Sequence, residues 1–101
     1  MSDDVINQLR IKQSNFMKGM LKSFIKNNVK FKRVENVYQY IYETIEDYYK
    51  FEIKITDDLL ILKIFDDVGL LFNKIALKNI HRETKEFVKY LRKQEERVGN
   101  V

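Results

Sequence analysis

The side chains of this sequence that are best able to do chemistry are its lysines and arginines, which recur at helical spacing in two places. Near the N-terminus three lysines follow one another at intervals of four residues, and towards the C-terminus basic residues recur at intervals of three and four. Residues so spaced share one side of an α-helix, and rows of exposed cations bind phosphate groups without reading sequence. The predicted phosphate-binding residues are Lys18, Lys22, Lys26, Lys78, Arg82, Lys85, Lys89 and Arg92.

Aromatic side chains offer a second mode of binding, because exposed bases stack on aromatic rings. Five tyrosines lie between positions 38 and 49. With residues 35–49 predicted as a helix, Tyr38, Tyr42 and Tyr48 border its apolar side and Tyr40 lies on its outer side. Tyr40 is therefore the predicted base-stacking residue.

Residues for catalysis and metal binding are sparse. The sequence has one histidine, no cysteine and three isolated glycines, so it lacks a nucleophile paired with a base, thiolate zinc ligands and a glycine-rich phosphate loop. Glu52 and Lys54 reproduce the carboxylate-x-lysine element of metal-dependent nucleases, but no strand aspartate precedes them and any alternating charged strand gives the same pair. We predict a non-enzymatic protein with no catalytic residue, metal or cofactor.

Two helices are predicted before any strand. The first, over about residues 4–27, sets six apolar residues against the lysine row and ends at the Asn27-Asn28 pair. The second, over about residues 35–49, follows from three-four spacing of apolar residues. Residues 29–34 alternate briefly and could form a short strand or a connection, and we predict a connection. The apolar residues of the first helix are Phe16, Met17, Met20, Leu21, Phe24 and Ile25.

Downstream of residue 50 the apolar period changes from 3.6 to 2, which predicts strands at 51–55 and 59–65. The stretch Asp66-Asp67-Val68-Gly69 has the residues of a tight turn, which favours a third strand at 70–77 before a helix from about Asn79 to Arg97. We predict an α+β fold of order α-α-β-β-β-α, an antiparallel three-strand meander covered by helices on both faces. The alternative is α-α-β-β-α with one long C-terminal helix beginning at Val68.

From Glu35 to Arg97 the predicted order of helix, three strands and helix resembles in topology the double-stranded-RNA-binding domain. In that family, lysines at the start of the last helix contact phosphates. The resemblance is one of topology alone, because residues 76–82 lack the glycine and lysine signature of the family. No family is therefore assigned.

The chain length predicts a single domain over residues 1–101. Its N-terminal third is cationic. Residues 5–34 contain eight basic residues and no acidic one, whereas the remainder, up to about residue 97, is nearly charge-balanced. The predicted partner is the phosphate backbone of a nucleic acid. The alternative is an acidic protein surface or a second copy of the chain, as for an inhibitor or accessory factor of a virus or mobile element.

Membrane attachment is disfavoured. The longest apolar run, Leu59–Leu62, is far shorter than a membrane span. The first helix has the amphipathic character of an interfacial helix, but it is expected to be needed as a cover for the sheet. A start without signal-peptide features predicts a cytoplasmic location.

Overall fold

Two helices and five strands make up the computed structural model, which describes residues 3–99 and, within them, the side chains of residues 4–95. The fold class, a small α+β domain with an antiparallel meander, is as predicted, but the number of helices and strands differs. The elements are α1 (Asp3–Lys26), β1 (Lys32–Val34), β2 (Val37–Glu43), β3 (Tyr48–Ile55), β4 (Leu59–Phe65), β5 (Leu71–Lys78) and α2 (Arg82–Gly99).

The predicted helix over residues 35–49 is wrong, because this stretch forms the turn after β1, all of β2, and the start of β3. All five strands pair antiparallel in sequence order. Glu35, in the left-handed region at a φ of 57°, closes the turn between β1 and β2. Tyrosine and valine favour strands, and alternating tyrosines place one side of β2 on the core. The topological resemblance to the double-stranded-RNA-binding domain therefore does not hold.

The third predicted strand is confirmed as β5, and the alternative of one long C-terminal helix is wrong. Asp66 closes the turn before it as the sequence predicts: its carboxylate accepts hydrogen bonds from the backbone N–H groups of Val68 and Leu70, at 3.1 and 2.9 Å. Gly69 takes the left-handed φ of 85° that glycine allows. A bulge follows where β4 pairs with β5, between Ile64 and Phe65.

The end of α1 is also as predicted. Asn28 adopts a left-handed φ of 53°, and the N–H of Val29 donates to the carbonyl of Phe24 at 3.0 Å, which is the pattern of a helix stop. The prediction of a connection over residues 29–34 is wrong for its second half, because residues 32–34 form β1 and pair with β2. The residues before β1 are held by α2. The Gln94 amide bonds the N–H of Phe31 and the carbonyl of Val29, at 3.2 and 2.7 Å.

Both helices cover the same side of the sheet, so the prediction that helices cover both of its faces is wrong. The core contains residues from α1, α2, β3, β4 and β5, and aromatic rings of β2 and of the α1–β1 connection pack against it. The fully enclosed core residues are Met17, Leu21, Ile53, Leu60, Leu62 and Phe87, each with 0% of its surface exposed.

The N-terminal half of α1 lies outside this core. Every described side chain from Asp4 to Gln13 is exposed, whereas Met17, Leu21 and Phe24 are buried. A 24-residue helix is about 36 Å long at 1.5 Å per residue, so roughly half of that length extends past the sheet. Neither helix, over the residues that the structure describes, is long and apolar enough to cross a membrane.

Candidate nucleic-acid interface

The outward sides of α1 and α2 form one cationic surface, called here the helical face. Because the buried residues of both helices pack on the same side of the sheet, the residues opposite them on each helix point away from the sheet in the same direction. The two predicted rows therefore lie side by side. The cations of the helical face are Lys18, Lys22, Lys26, Arg82, Lys85, Lys89 and Arg92.

Two glutamates of α2 lie among these cations. The pKa of the Glu83 carboxyl is held below its ordinary value, first by a hydrogen bond from its own backbone N–H and then by Lys18 and Lys22 of the neighbouring helix α1. Glu86 accepts a hydrogen bond from Arg82 at 2.9 Å. The negative charge of Glu83 therefore partly offsets the positive charge of Lys18 and Lys22, the first two lysines of the α1 row.

A groove of about 900 Å³ runs along α2 beside the β3–β4 turn. Ile55 and Val88 contribute apolar surface to it. Its charged lining residues are Lys85, Lys89, Arg92, Arg82, Glu86 and Asp57. Cations above an apolar floor hold a phosphate close to the protein while the floor excludes water. The groove borders the helical face along α2.

Lys78 does not belong to the helical row in which the sequence predicts it. It is the last residue of β5, opposite Leu59 in the sheet, and it alternates with buried Leu77, so its side chain lies on the other side of the sheet. Asn79 likewise does not begin α2, which starts at Arg82. Its side-chain amide instead donates to the backbone carbonyls of Thr56 and Asp57.

The side of the sheet away from the helices is the surface that the sequence prediction missed; it is called here the open sheet face. Strand alternation and the pairing register place six lysines and two glutamates on it. No helix among the described residues packs on this side. The charged residues of the open sheet face are Lys32, Lys50, Lys54, Lys63, Lys74, Lys78, Glu43 and Glu52.

One row of polar residues crosses all five strands of the open sheet face. In register, it runs Lys32, Gln39, Glu52, Lys63 and Lys74. Glu52 is already engaged, because it accepts a hydrogen bond from Gln39 at 3.3 Å and pairs with Lys50 at 3.7 Å. Lys63 and Lys74 stand directly opposite each other, an arrangement of like charges that destabilises a strand pair.

Apolar side chains lie between these lysines. Ile61, Tyr48 and Phe65 are half-buried on the open sheet face, and the ammonium of Lys50 sits 4.9 Å from the centre of the Phe65 ring. Val34, Ile41 and Leu71 are more exposed, between 41% and 50%. The surface thus combines cations with flat apolar area.

Tyr40 is not an outward residue. It lies on the helix-facing side of β2, where its ring stacks on Phe51 at an interplanar angle of 19° and contacts Phe24 and Phe31. The prediction that it lies on the outer side of a helix is therefore wrong, and its ring is occupied by neighbours in the core.

In the described part of the chain, no group of three or more histidine, cysteine, aspartate or glutamate side chains comes together as a metal site would require. Glu52 and Lys54 share the open sheet face, as their spacing requires. The Asp66 carboxylate is used by its own turn.

The sequence carried a readable signal for part of the open sheet face. Lys50, Glu52 and Lys54 alternate with core residues in β3, and Lys74 and Lys78 do so in β5. The open-face residues of β1 and β2 were missed, because residues 29–34 were predicted as a connection and residues 35–49 as a helix. Comparison with protein-family models, curated proteins and solved structures finds no match, so function has to be argued from the surfaces of this chain.

Proposed function

We propose that this protein is a non-enzymatic nucleic-acid-binding protein whose helical face holds the phosphate backbone. The observation that carries the proposal is the placement of both helices on the same side of the sheet, which brings two separate cation rows onto one surface. Surfaces of this kind bind nucleic acid regardless of sequence, and binding releases counterions. A duplex, with its two phosphate rows, is the ligand that two cation rows on one surface suit best.

The distribution of charge supports the proposal. The seven cations named for the helical face outnumber Glu83 and Glu86, and the exposed Lys93 of α2 adds to them. The Lys85 and Lys89 side chains are exposed and stand away from Glu83, so they are available to a ligand. The positive start of the α2 helix dipole adds a smaller attraction for a phosphate near Arg82.

Fluorescence anisotropy with a labelled 20-base-pair duplex, at 50 and 200 mM salt, tests the proposal. Binding is expected at low salt and should weaken by at least tenfold at high salt. The double variant Lys85→Ala/Lys89→Ala should weaken duplex binding by tenfold or more, whereas Lys63→Ala/Lys74→Ala removes the same charge from the open sheet face and serves as the matched control. Duplex binding that is absent, insensitive to salt or equally weakened by both variants would refute the proposal.

A second candidate function, binding a protein partner such as a second copy of this chain, is favoured by the exposed half of α1. An isolated helical segment of about twelve residues is marginal in water, yet this one carries an uncovered apolar stripe. Its members are exposed by 42–55%. The stripe consists of Val5, Ile6, Leu9 and Phe16.

Light scattering tests the homodimer form of this candidate. The wild-type chain is expected at twice the monomer mass, and Leu9→Lys should return it to the monomer. Ile11→Lys is the matched control, because Ile11 is 59% exposed but lies on the opposite side of the same helix from Leu9, at about 200° on the helical wheel. A monomeric wild type would remove the homodimer from consideration.

A further inference from the structure

We propose that the open sheet face is a separate binding site for single-stranded nucleic acid. It lies on the opposite side of the molecule from the helical face, and the inference does not depend on duplex binding there. Its basis is the combination of six lysines, two glutamates and half-buried apolar rings on a flat surface that no described helix covers.

Charge favours an anionic occupant. Glu52, in the centre of the face, is neutralised by Lys50 at 3.7 Å, and Glu43 lies at the end of β2. Lys63 stands between Lys74 and Glu52 in the pairing register, whereas Lys74, on the edge strand β5, has only Lys63 opposite it. A phosphate seated between the ammonium groups of Lys63 and Lys74 would relieve a repulsion that the free protein bears.

The turns set the direction of the ligand. Acidic residues cluster at both ends of the strands, in the turns that join β2 to β3, β3 to β4 and β4 to β5. Phosphates are repelled from both ends and attracted to the middle of the sheet, so the favoured path crosses the strands. The acidic turn residues are Glu46, Asp47, Asp57, Asp58, Asp66 and Asp67.

The polar row from Lys32 to Lys74 follows this path. Four spacings between five strands, at about 4.8 Å each, give a width of about 19 Å. At about 3.4 Å per stacked nucleotide, the sheet accommodates about five nucleotides. A segment of that length matches the shorter single-strand sites of other sheet-based binding proteins.

The apolar side chains explain why a single strand fits better than a duplex. Tyr48 and Phe65 are diagonal neighbours on the open sheet face, next to Lys50, in the register that pairs Lys50 with Phe65. Aromatic rings on a sheet can stack with the unpaired bases of a single strand. In a duplex the base faces are already stacked on one another and are not available to the rings. One base would lie over the Tyr48 ring and another over the Phe65 ring in place of the Lys50 ammonium, while the phosphates follow the lysine row.

Anisotropy with labelled ten-nucleotide oligouridine and oligothymidine, each free of secondary structure, tests the inference. Lys63→Ala/Lys74→Ala should weaken binding of both oligonucleotides by tenfold or more at 50 mM salt. Lys85→Ala/Lys89→Ala, on the helical face, should change it by less than twofold. Phe65→Leu keeps an apolar side chain but removes the ring, and a loss of fivefold or more is expected from the lost stacking.

The same three variants measured with the 20-base-pair duplex separate this inference from the function proposed for the helical face. If Lys63→Ala/Lys74→Ala leaves oligonucleotide binding unchanged, or if both double variants weaken it equally, the open sheet face is not the site. If Lys85→Ala/Lys89→Ala weakens duplex binding while Lys63→Ala/Lys74→Ala leaves oligonucleotide binding unchanged, the proposed function stands and this inference is overturned. The Lys63→Ala/Lys74→Ala variant removes a like-charge pair, so it should retain its fold, which a thermal melt checks.

Discussion

At the scale of single residues, one carboxylate joins three elements. Glu95 of α2 accepts a hydrogen bond from the Tyr38 hydroxyl of β2 at 2.6 Å and another from Arg33 of β1 at 3.0 Å. The bond from Tyr38, then that from Arg33, holds the pKa of Glu95 below its ordinary value. Burial, followed by the bond to Glu95, raises the pKa of Tyr38. This contact fixes the three-residue edge strand β1 to the helical layer.

The stability that this contact provides should depend on pH in two windows. A lowered carboxyl pKa means that the stabilisation from Glu95 is present above its ordinary pKa of 4.5 and is lost as the pH falls through the lowered value. A raised phenol pKa means that the stabilisation from Tyr38 is present below its ordinary pKa of 10.0 and is lost as the pH rises through the raised value. The contact is therefore complete near neutral pH.

The variant Tyr38→Phe should lower the free energy of unfolding by about 1 kcal/mol at pH 7, since it removes one partly exposed hydrogen bond to a charged group. At an acidic pH below the lowered pKa of Glu95, the difference from the wild type should shrink towards zero. Urea unfolding at both pH values measures it. Tyr42→Phe is the control on the same side of β2 and should cost less than about 0.5 kcal/mol; an equal cost of Tyr38→Phe at both pH values would show that Glu95 is not its partner.

At the scale of elements, the turns were the most predictable part of the fold. Asp66 and Gly69 close the β4–β5 turn with side-chain and backbone conformations that few other residues supply. The Asn27-Asn28 stop of α1 is equally local. Signals of this kind depend on a few adjacent residues, and tertiary contacts do not override them.

Substitution by alanine should change the free energy of unfolding in opposite directions at two glycines. Gly69 has a φ of 85° and Gly19 lies within α1, and a methyl group added to either would meet nothing within 4 Å. Gly69→Ala should therefore destabilise the protein by about 1 kcal/mol through backbone strain. Gly19→Ala should stabilise it by up to about 1 kcal/mol, because alanine is the better helix former.

Thermal or urea unfolding of the two variants measures these changes. A neutral Gly69→Ala would mean that the turn does not hold the left-handed conformation in solution. A destabilising Gly19→Ala would mean that α1 packs against a partner at that position.

The secondary structure of residues 35–49 was the least predictable element. Val34, Val37 and Ile41 are spaced as if on a helix, but in the sheet all three lie on the open face. Ile45, which continues the helical pattern, is fully exposed in a turn. The alternation of Tyr38, Tyr40 and Tyr42 was the competing signal, and its meaning depends on pairing with β3, a contact that no local pattern contains.

At the scale of the whole molecule, the protein has two layers and presents a cationic surface on each side. The sequence identified the two helical rows, since each row is local to one helix. Whether the rows face the same direction, and whether the sheet is covered on its second side, depend on how the elements pack. Both features on which the proposals rest therefore depend on tertiary packing, which local sequence patterns do not contain.

A net charge of +4 alone would attract any polyanion weakly, and the dependence of affinity on salt distinguishes that general attraction from two defined surfaces. Each phosphate contact contributes about 0.9 to the slope of log K against log salt for a duplex and about 0.7 for a single strand. Lys85→Ala/Lys89→Ala should thus flatten the duplex slope by about 1.8 and leave the single-strand slope unchanged. Lys63→Ala/Lys74→Ala should flatten the single-strand slope by about 1.4 and leave the duplex slope unchanged. Anisotropy titrations between 50 and 200 mM salt measure all four slopes, and equal changes for both variants on both ligands would show that net charge, not the arrangement of the two faces, governs binding.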